Sequence, residues 1–147
     1  MKPILVSACL LGTPCRYDGN SKPCAAVLAL QKDYRLIPVC PEVLGGLPTP
    51  RTPSEICGDC VRMKNGQDVT QNYRAGAQKA LEVACAEGCE IAILKEKSPS
   101  CGCGLIYSGV FDGRLILGDG ITTALLKKNG ISVWGETQIE NEGLHLK

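Results

Sequence analysis

The chain has 147 residues, 44% hydrophobic, 21% charged and 4% aromatic, with a formal net charge of +1 at pH 7. This length suits one compact domain spanning residues 1–147, which buries about two-thirds of its unfolded surface without staples. So small a net charge offers no basic field for a nucleic-acid backbone, and so few aromatics offer no base-stacking platform; tight nucleic-acid binding is not expected.

The chain opens MKPILVSACLLG. Its apolar run is too short to cross a bilayer, and the following TPCRYDG lacks a small-residue cleavage site. Residues 3–9 therefore read as a first buried strand, with no membrane segment and a cytoplasmic location. Residues 11–21, rich in Gly, Pro, Asp and Asn, read as loop. Residues 22–32 have helical composition, with Ser21 as cap and Pro23 in the first turn. Residues 34–40 make a second strand. Residues 41–60 form a long loop with four prolines, and a loop of that length in a compact domain is usually functional. A hairpin around Asn65-Gly66 is expected over 61–70.

Residues 70–87 read as an amphipathic helix capped by Thr70, with Tyr73, Ala77, Leu81 and Ala84 on its apolar stripe and Gly88 as its stop. Residues 90–96 form a third strand. Residues 105–120 read as an irregular or hairpin segment turning at Asp112-Gly113. A short helix follows, ended by Gly130, then a fourth strand (131–135) and a polar tail. This order predicts an α/β fold, a small Rossmann- or flavodoxin-like parallel sheet of about four strands flanked by helices.

In such sheets ligands sit outside the carboxyl ends of the strands. Cys9 ends the first strand, Cys40 ends the second and Cys101 follows the third, each before a Gly/Pro-rich loop. Ten cysteines without an export signal read as reduced thiols, some binding a metal. Cys15 competes with these three because CLLGTPC places it in the loop after Cys9. Cys57 and Cys60, in CGDC, read as an incidental pair or a reversible disulfide. Cys24, Cys85 and Cys89 read as core, and Cys103 as a spare ligand. The single histidine, His145, lies in the polar tail and reads as solvated. What remains is thiolate chemistry, either an iron–sulfur cluster or a thiolate zinc site.

Four blocks, SACLLGTPCRYDG (7–19), PVCPEVLGGLPTPRTPSE (38–55), LKEKSPSCG (94–102) and GDGITTALLKKNGISV (118–133), together resemble the thiouracil desulfidase family. The resemblance implies a [4Fe-4S] cluster held by three cysteines, with one open iron that takes the sulfur of a thiolated nucleobase. Water replaces that sulfur, turning thiouracil into uracil without net electron transfer. Carried onto this chain, the ligands are Cys9, Cys40 and Cys101.

For this chemistry Glu42, two residues beyond Cys40, is the candidate base. Ser98 and Ser100 are candidates to orient water or substrate, and the resemblance places Ser98 in the pocket. Tyr17 and Asp18 are candidates to stack on the base or contact its edge. Arg51 and Lys95, with Arg16, are candidates to hold an anionic substrate, to neutralise the cluster or to form structural salt bridges. Glu55 is expected to pair with Arg51, four residues earlier. Gly45 and Gly46 suit either a close backbone approach or a plain turn. Two other readings compete: a sulfur-transfer enzyme of the transfer-RNA thiolation type, and a non-catalytic zinc or iron–sulfur sensor. The first usually needs a phosphate loop of the GxxxxGK[ST] type, which the chain lacks.

Overall fold

The computed structural model describes residues 1–144; His145 lies outside them. In chain order the elements are β1 (Lys2–Ser7), α1 (Ala25–Leu28), β2 (Tyr34–Val39), α2 (Pro41–Leu44), β3 (Ser54–Cys57), β4 (Cys60–Met63), α3 (Thr70–Glu87), β5 (Ile91–Leu94), β6 (Leu105–Tyr107), β7 (Leu115–Leu117), α4 (Ile121–Lys128), β8 (Ser132–Gly135) and α5 (Glu136–Glu142). Four of the strands form one parallel sheet in the order β2-β1-β5-β8. Counting sheet strands alone, this is the flavodoxin order, with its switch point between β1 and β5.

Strand alternation divides the core in two. Ile4, Val6, Ile91 and Ile93 pack with Val27 of α1 and Ile139 of α5. Leu5, Ala92 and Leu94 pack with Leu81 and Ala84 of α3 and Leu126 of α4. Helices thus cover both faces, which is why β5 is an unbroken apolar run buried at every residue. The expected α/β sheet forms.

Several expected boundaries differ. β1 stops at Ser7, and Cys9 lies in a one-turn 3₁₀ helix, Ala8–Leu11. The expected 22–32 helix starts only at Ala25 and tightens into a 3₁₀ turn over Ala29–Lys32, and Ser21 does not cap it. The cause is tertiary: the amides of Lys22 and Cys24 donate to the carbonyls of Cys9 and Leu10, which holds this stretch extended. The Pro-rich loop contains α2, started by Pro41 at its first position, where a missing N–H costs nothing. An unexpected β3–β4 hairpin turns at Gly58-Asp59. The expected turn at Asn65-Gly66 forms as well: Arg62 and Asp68 pair antiparallel across it, and the Met63 and Val69 amides donate to the Gln67 and Val61 carbonyls. Thr70 is the first residue of α3 rather than its cap; its hydroxyl accepts the Val61 amide at 2.8 Å. Gly88, at φ +75°, ends α3 as expected. The polar tail carries α5, whose buried residues are Glu136 and Ile139.

One contact decides where α2 sits. Gly45 and Gly76 let α2 and α3 meet backbone to backbone, since a Cβ on Gly76 would overlap the Pro41 carbonyl and one on Gly45 the Asn72 carbonyl. Asn72 Nδ2 then donates to the Gly45 carbonyl at 2.9 Å. The expected close approach of Gly45 is therefore to a helix. Gly76→Ala forces the two elements apart and is expected to cost about 1–3 kcal/mol as overpacking. Thermal denaturation reads this as a melting temperature several degrees lower.

Candidate active site

A cavity of about 360 Å³ opens at the carboxyl ends of β1, β2 and β5. Ser7 to Cys9 enter it from β1, Val39 to Glu42 from β2 and α2, and Lys95 to Pro99 from the turn after β5. The 3₁₀ turn after β1 and the Pro-started turn after β2 each rotate a thiol inward where the strand stops.

Four thiols line the cavity: Cys9, Cys15, Cys40 and Cys101. The structure thus unites the three expected strand-end cysteines and adds their competitor. Cys40 Sγ donates to the Cys15 carbonyl at 3.7 Å. Contact with Cys15 and then burial push the Cys40 thiol well up. Contact with Cys40 pulls the Cys15 thiol down, but contact with Cys9 and burial outweigh it and leave Cys15 raised. Burial pushes Cys101 up to about 12, against a lowering hydrogen bond from Ser7. Packed thiols hold their protons because neighbouring thiolates repel and water is scarce. A cationic metal group reverses that balance and makes thiolates of them. Among the described residues no three His, Cys, Asp or Glu side chains meet closely enough to hold a single metal ion. An all-sulfur donor set around a cavity, rather than around a point, suits a multi-iron cluster better than one zinc. The ten cysteines are free thiols; the other six, Cys57 and Cys60 included, do not line the cavity.

Glu42 enters the same cavity from α2. Its Oε1 accepts the Tyr73 hydroxyl at 2.7 Å and Arg51 Nε at 3.1 Å. The Arg51 side chain is 2% exposed. It also donates to the Pro48 carbonyl and Thr49 Oγ1, both at 3.1 Å, and to the Cys15 carbonyl at 2.9 Å. Four of the five guanidinium N–H groups are thereby committed to the protein. Arg51 lines the cavity, but as a clamp on Glu42 and the Cys15 loop and not as a free anion binder.

The expected Arg51–Glu55 pair does not form. Glu55 Oε1 instead accepts the amides of Gly109 and Phe111, at 2.8 and 3.1 Å, and ties the β6–β7 tip over the cavity. Lys95 lines the cavity with its ammonium 2.8 Å from Glu136 of α5. Ser98 lines it too, and its Oγ accepts the Cys101 amide at 2.7 Å. Tyr17 lines the mouth, with the Arg16 guanidinium 5.7 Å from its ring centroid.

Two expected site residues lie elsewhere. Asp18 does not line the cavity; it faces Arg16 at 3.8 Å and accepts the Asn20 amide, as a loop carboxylate does. Ser100 is fully buried against Thr122, 2.8 Å between hydroxyl oxygens, and does not reach the cavity. Ser100→Ala strands the Thr122 hydroxyl and is expected to cost about 1–3 kcal/mol of stability. Thermal denaturation reads that loss.

Ser7, Tyr73 and Phe111 also line the cavity and are not among the site residues expected from the sequence. For Tyr73 a signal existed: a phenol on an otherwise apolar helix stripe demands a hydrogen-bond partner once buried.

A family model described as "2-thiouracil desulfurase" matches residues 4–138. The uncharacterized protein YbbK of Bacillus subtilis (strain 168) is 41% identical, over 94% of this chain and 98% of that one. A solved structure of the [4Fe-4S]-dependent thiouracil desulfidase TudS (DUF523Vcz) is 49% identical, with a TM-score of 0.90, over 95% of this chain and 94% of that one.

Proposed function

The chain belongs to the 2-thiouracil desulfurase family, and on that premise we propose that it removes sulfur from thiolated pyrimidine bases, thiouracil to uracil, without net electron transfer. The observation that carries this reading is one cavity lined by four thiols and by a carboxylate pinned through one of its oxygens. Cys9, Cys40 and Cys101 hold the [4Fe-4S] cluster. Bound there, the cluster supplies an open iron, a Lewis acid that polarises the substrate sulfur.

The chain's own residues do the rest. Glu42 takes a proton from the water that attacks the carbon bearing sulfur. Ser98, whose oxygen already accepts the Cys101 amide, donates its hydroxyl proton toward that water or the ring. Lys95 sets a positive charge against the charge that builds on the leaving sulfur. Tyr17 covers the planar base at the mouth of the cavity. Water supplies the oxygen of the product, and its two protons, one of them passed through Glu42, leave with the sulfur as hydrogen sulfide. The protein acts as one domain on a small free base. Among the described residues no helix is long and apolar enough to cross a membrane. The free thiols suit the reducing cytoplasm, where we place its activity.

The test is anaerobic incubation of the reconstituted protein with 2-thiouracil and 4-thiouracil, following thione absorbance. The expected result is loss of thione matched one-to-one by uracil and sulfide. Unchanged thione with a full iron complement, or a colourless protein holding one zinc, overturns the reading.

A further inference from the structure

We propose that Tyr73 is a positioning residue of the desulfuration site, its hydroxyl acting with Arg51 to lock one oxygen of Glu42 and turn the other into the cavity. The inference deepens the reading above and rests on Glu42 being the base.

Tyr73 lies in the first turn of α3 and is 1% exposed. Its ring fills the satellite core with Val61, Met63 and Val69, a task that phenylalanine would perform without a hydroxyl to satisfy. That hydroxyl is spent on Glu42 Oε1 at 2.7 Å, the oxygen that Arg51 Nε also reaches at 3.1 Å. Burial and the charge of Glu42 push the phenol well above its ordinary range, so it stays a proton donor. Two donors on one carboxylate oxygen fix the rotation of the carboxylate.

Oε2 receives no hydrogen bond among the described residues. None of their fully buried side-chain oxygens lacks a partner. Oε2 is therefore not sealed in the protein, and the open space that Glu42 borders is the cavity. The backbone on both sides is set as well, because α2 and α3 touch at Gly45 and Gly76. Tyr73 thus holds Glu42 from a rigid eighteen-residue helix. A carboxylate free to rotate loses much of the gain from alignment with the water it activates.

The test compares Tyr73→Phe, Glu42→Gln and the double variant, each reconstituted anaerobically. Tyr73→Phe is expected to keep its iron, its visible absorption and its KM within about twofold, while kcat falls at least tenfold, because a misaligned Glu42 weakens the transition state without weakening substrate binding. The double variant is expected to be no slower than Glu42→Gln alone, because Tyr73 acts through that carboxylate. Wild-type kcat in Tyr73→Phe beside an inactive Glu42→Gln overturns the positioning role. So do additive losses, a raised KM at unchanged kcat, or loss of iron. Wild-type kcat in Glu42→Gln overturns the base assignment instead. Should Tyr73→Phe fail to fold, Tyr73→Leu, which also removes the hydroxyl and keeps an apolar side chain in the satellite core, is read by the same criteria.

Discussion

Alanine at Cys9, Cys40 or Cys101 is expected to give a folded but colourless protein, with iron at background after anaerobic reconstitution. These thiols reach the cavity from three separate chain segments: the turn after β1, the start of α2 and the turn after β5. A cluster bound through them would take one ligand from each segment, and loss of one thiol would leave it two protein ligands. Cys15→Ala is expected to keep its colour. Cys15 shares a loop with Cys9, and its backbone is already engaged, the carbonyl accepting both Arg51 and the Cys40 thiol.

The experiment discriminates because Cys15 also contacts both Cys9 and Cys40. Brown Cys101→Ala beside colourless Cys15→Ala reassigns the ligands to that trio. Iron analysis and absorbance on the four variants decide it. Thermal melts add a second measure, since a group bound only by the folded state raises the melting temperature.

Glu42→Gln is expected to keep its iron and bind thiouracil while turnover falls about 10²–10⁴-fold, the usual worth of a general base. That fall corresponds to about 3–5 kcal/mol of transition-state stabilisation. Glutamine has the shape of glutamate, and its amide oxygen still accepts from Tyr73 and Arg51, so the α2–α3 contact survives. What it lacks is the free carboxylate oxygen facing the cavity. Single-turnover measurement of thione loss, beside equilibrium binding of the base, separates the two effects. Weakened binding at unchanged turnover makes Glu42 a substrate contact rather than the base.

The fold was legible where the signal is local. The apolar run at 91–94, the stripe of Tyr73, Ala77, Leu81 and Ala84, and Gly88 at the end of α3 each report a periodicity or a backbone need carried by neighbouring residues. α2 and α5 were hidden. A four-residue helix is too short to show a period, and a helix that buries only Glu136 and Ile139 reads as a polar stretch. The site was partly legible for the same reason. Cys9, Cys40 and Cys101 follow strand ends, and strand ends are local, whereas the fit of Cys15 against Cys9 and Cys40 is not.

By itself the sequence determined the order of the four sheet strands and of α1, α3 and α4, hence the sheet and the edge at which thiols collect. It also marked Glu42 and Ser98 as polar residues beside those thiols. Only the tertiary structure decided the partners. Arg51 lies four residues from Glu55 in the sequence yet pairs with Glu42, because the loop folds over α2. Ser100 turns into the core against Thr122 while Ser98 stays at the cavity. Tyr73, thirty-one residues from Glu42, meets it because two glycines let two helices touch. Periodicity and turn preference act over a few residues, so they specify elements. Hydrogen bonds inside a packed interior go to whatever group arrives within about 3 Å, and arrival is set by how the elements dock.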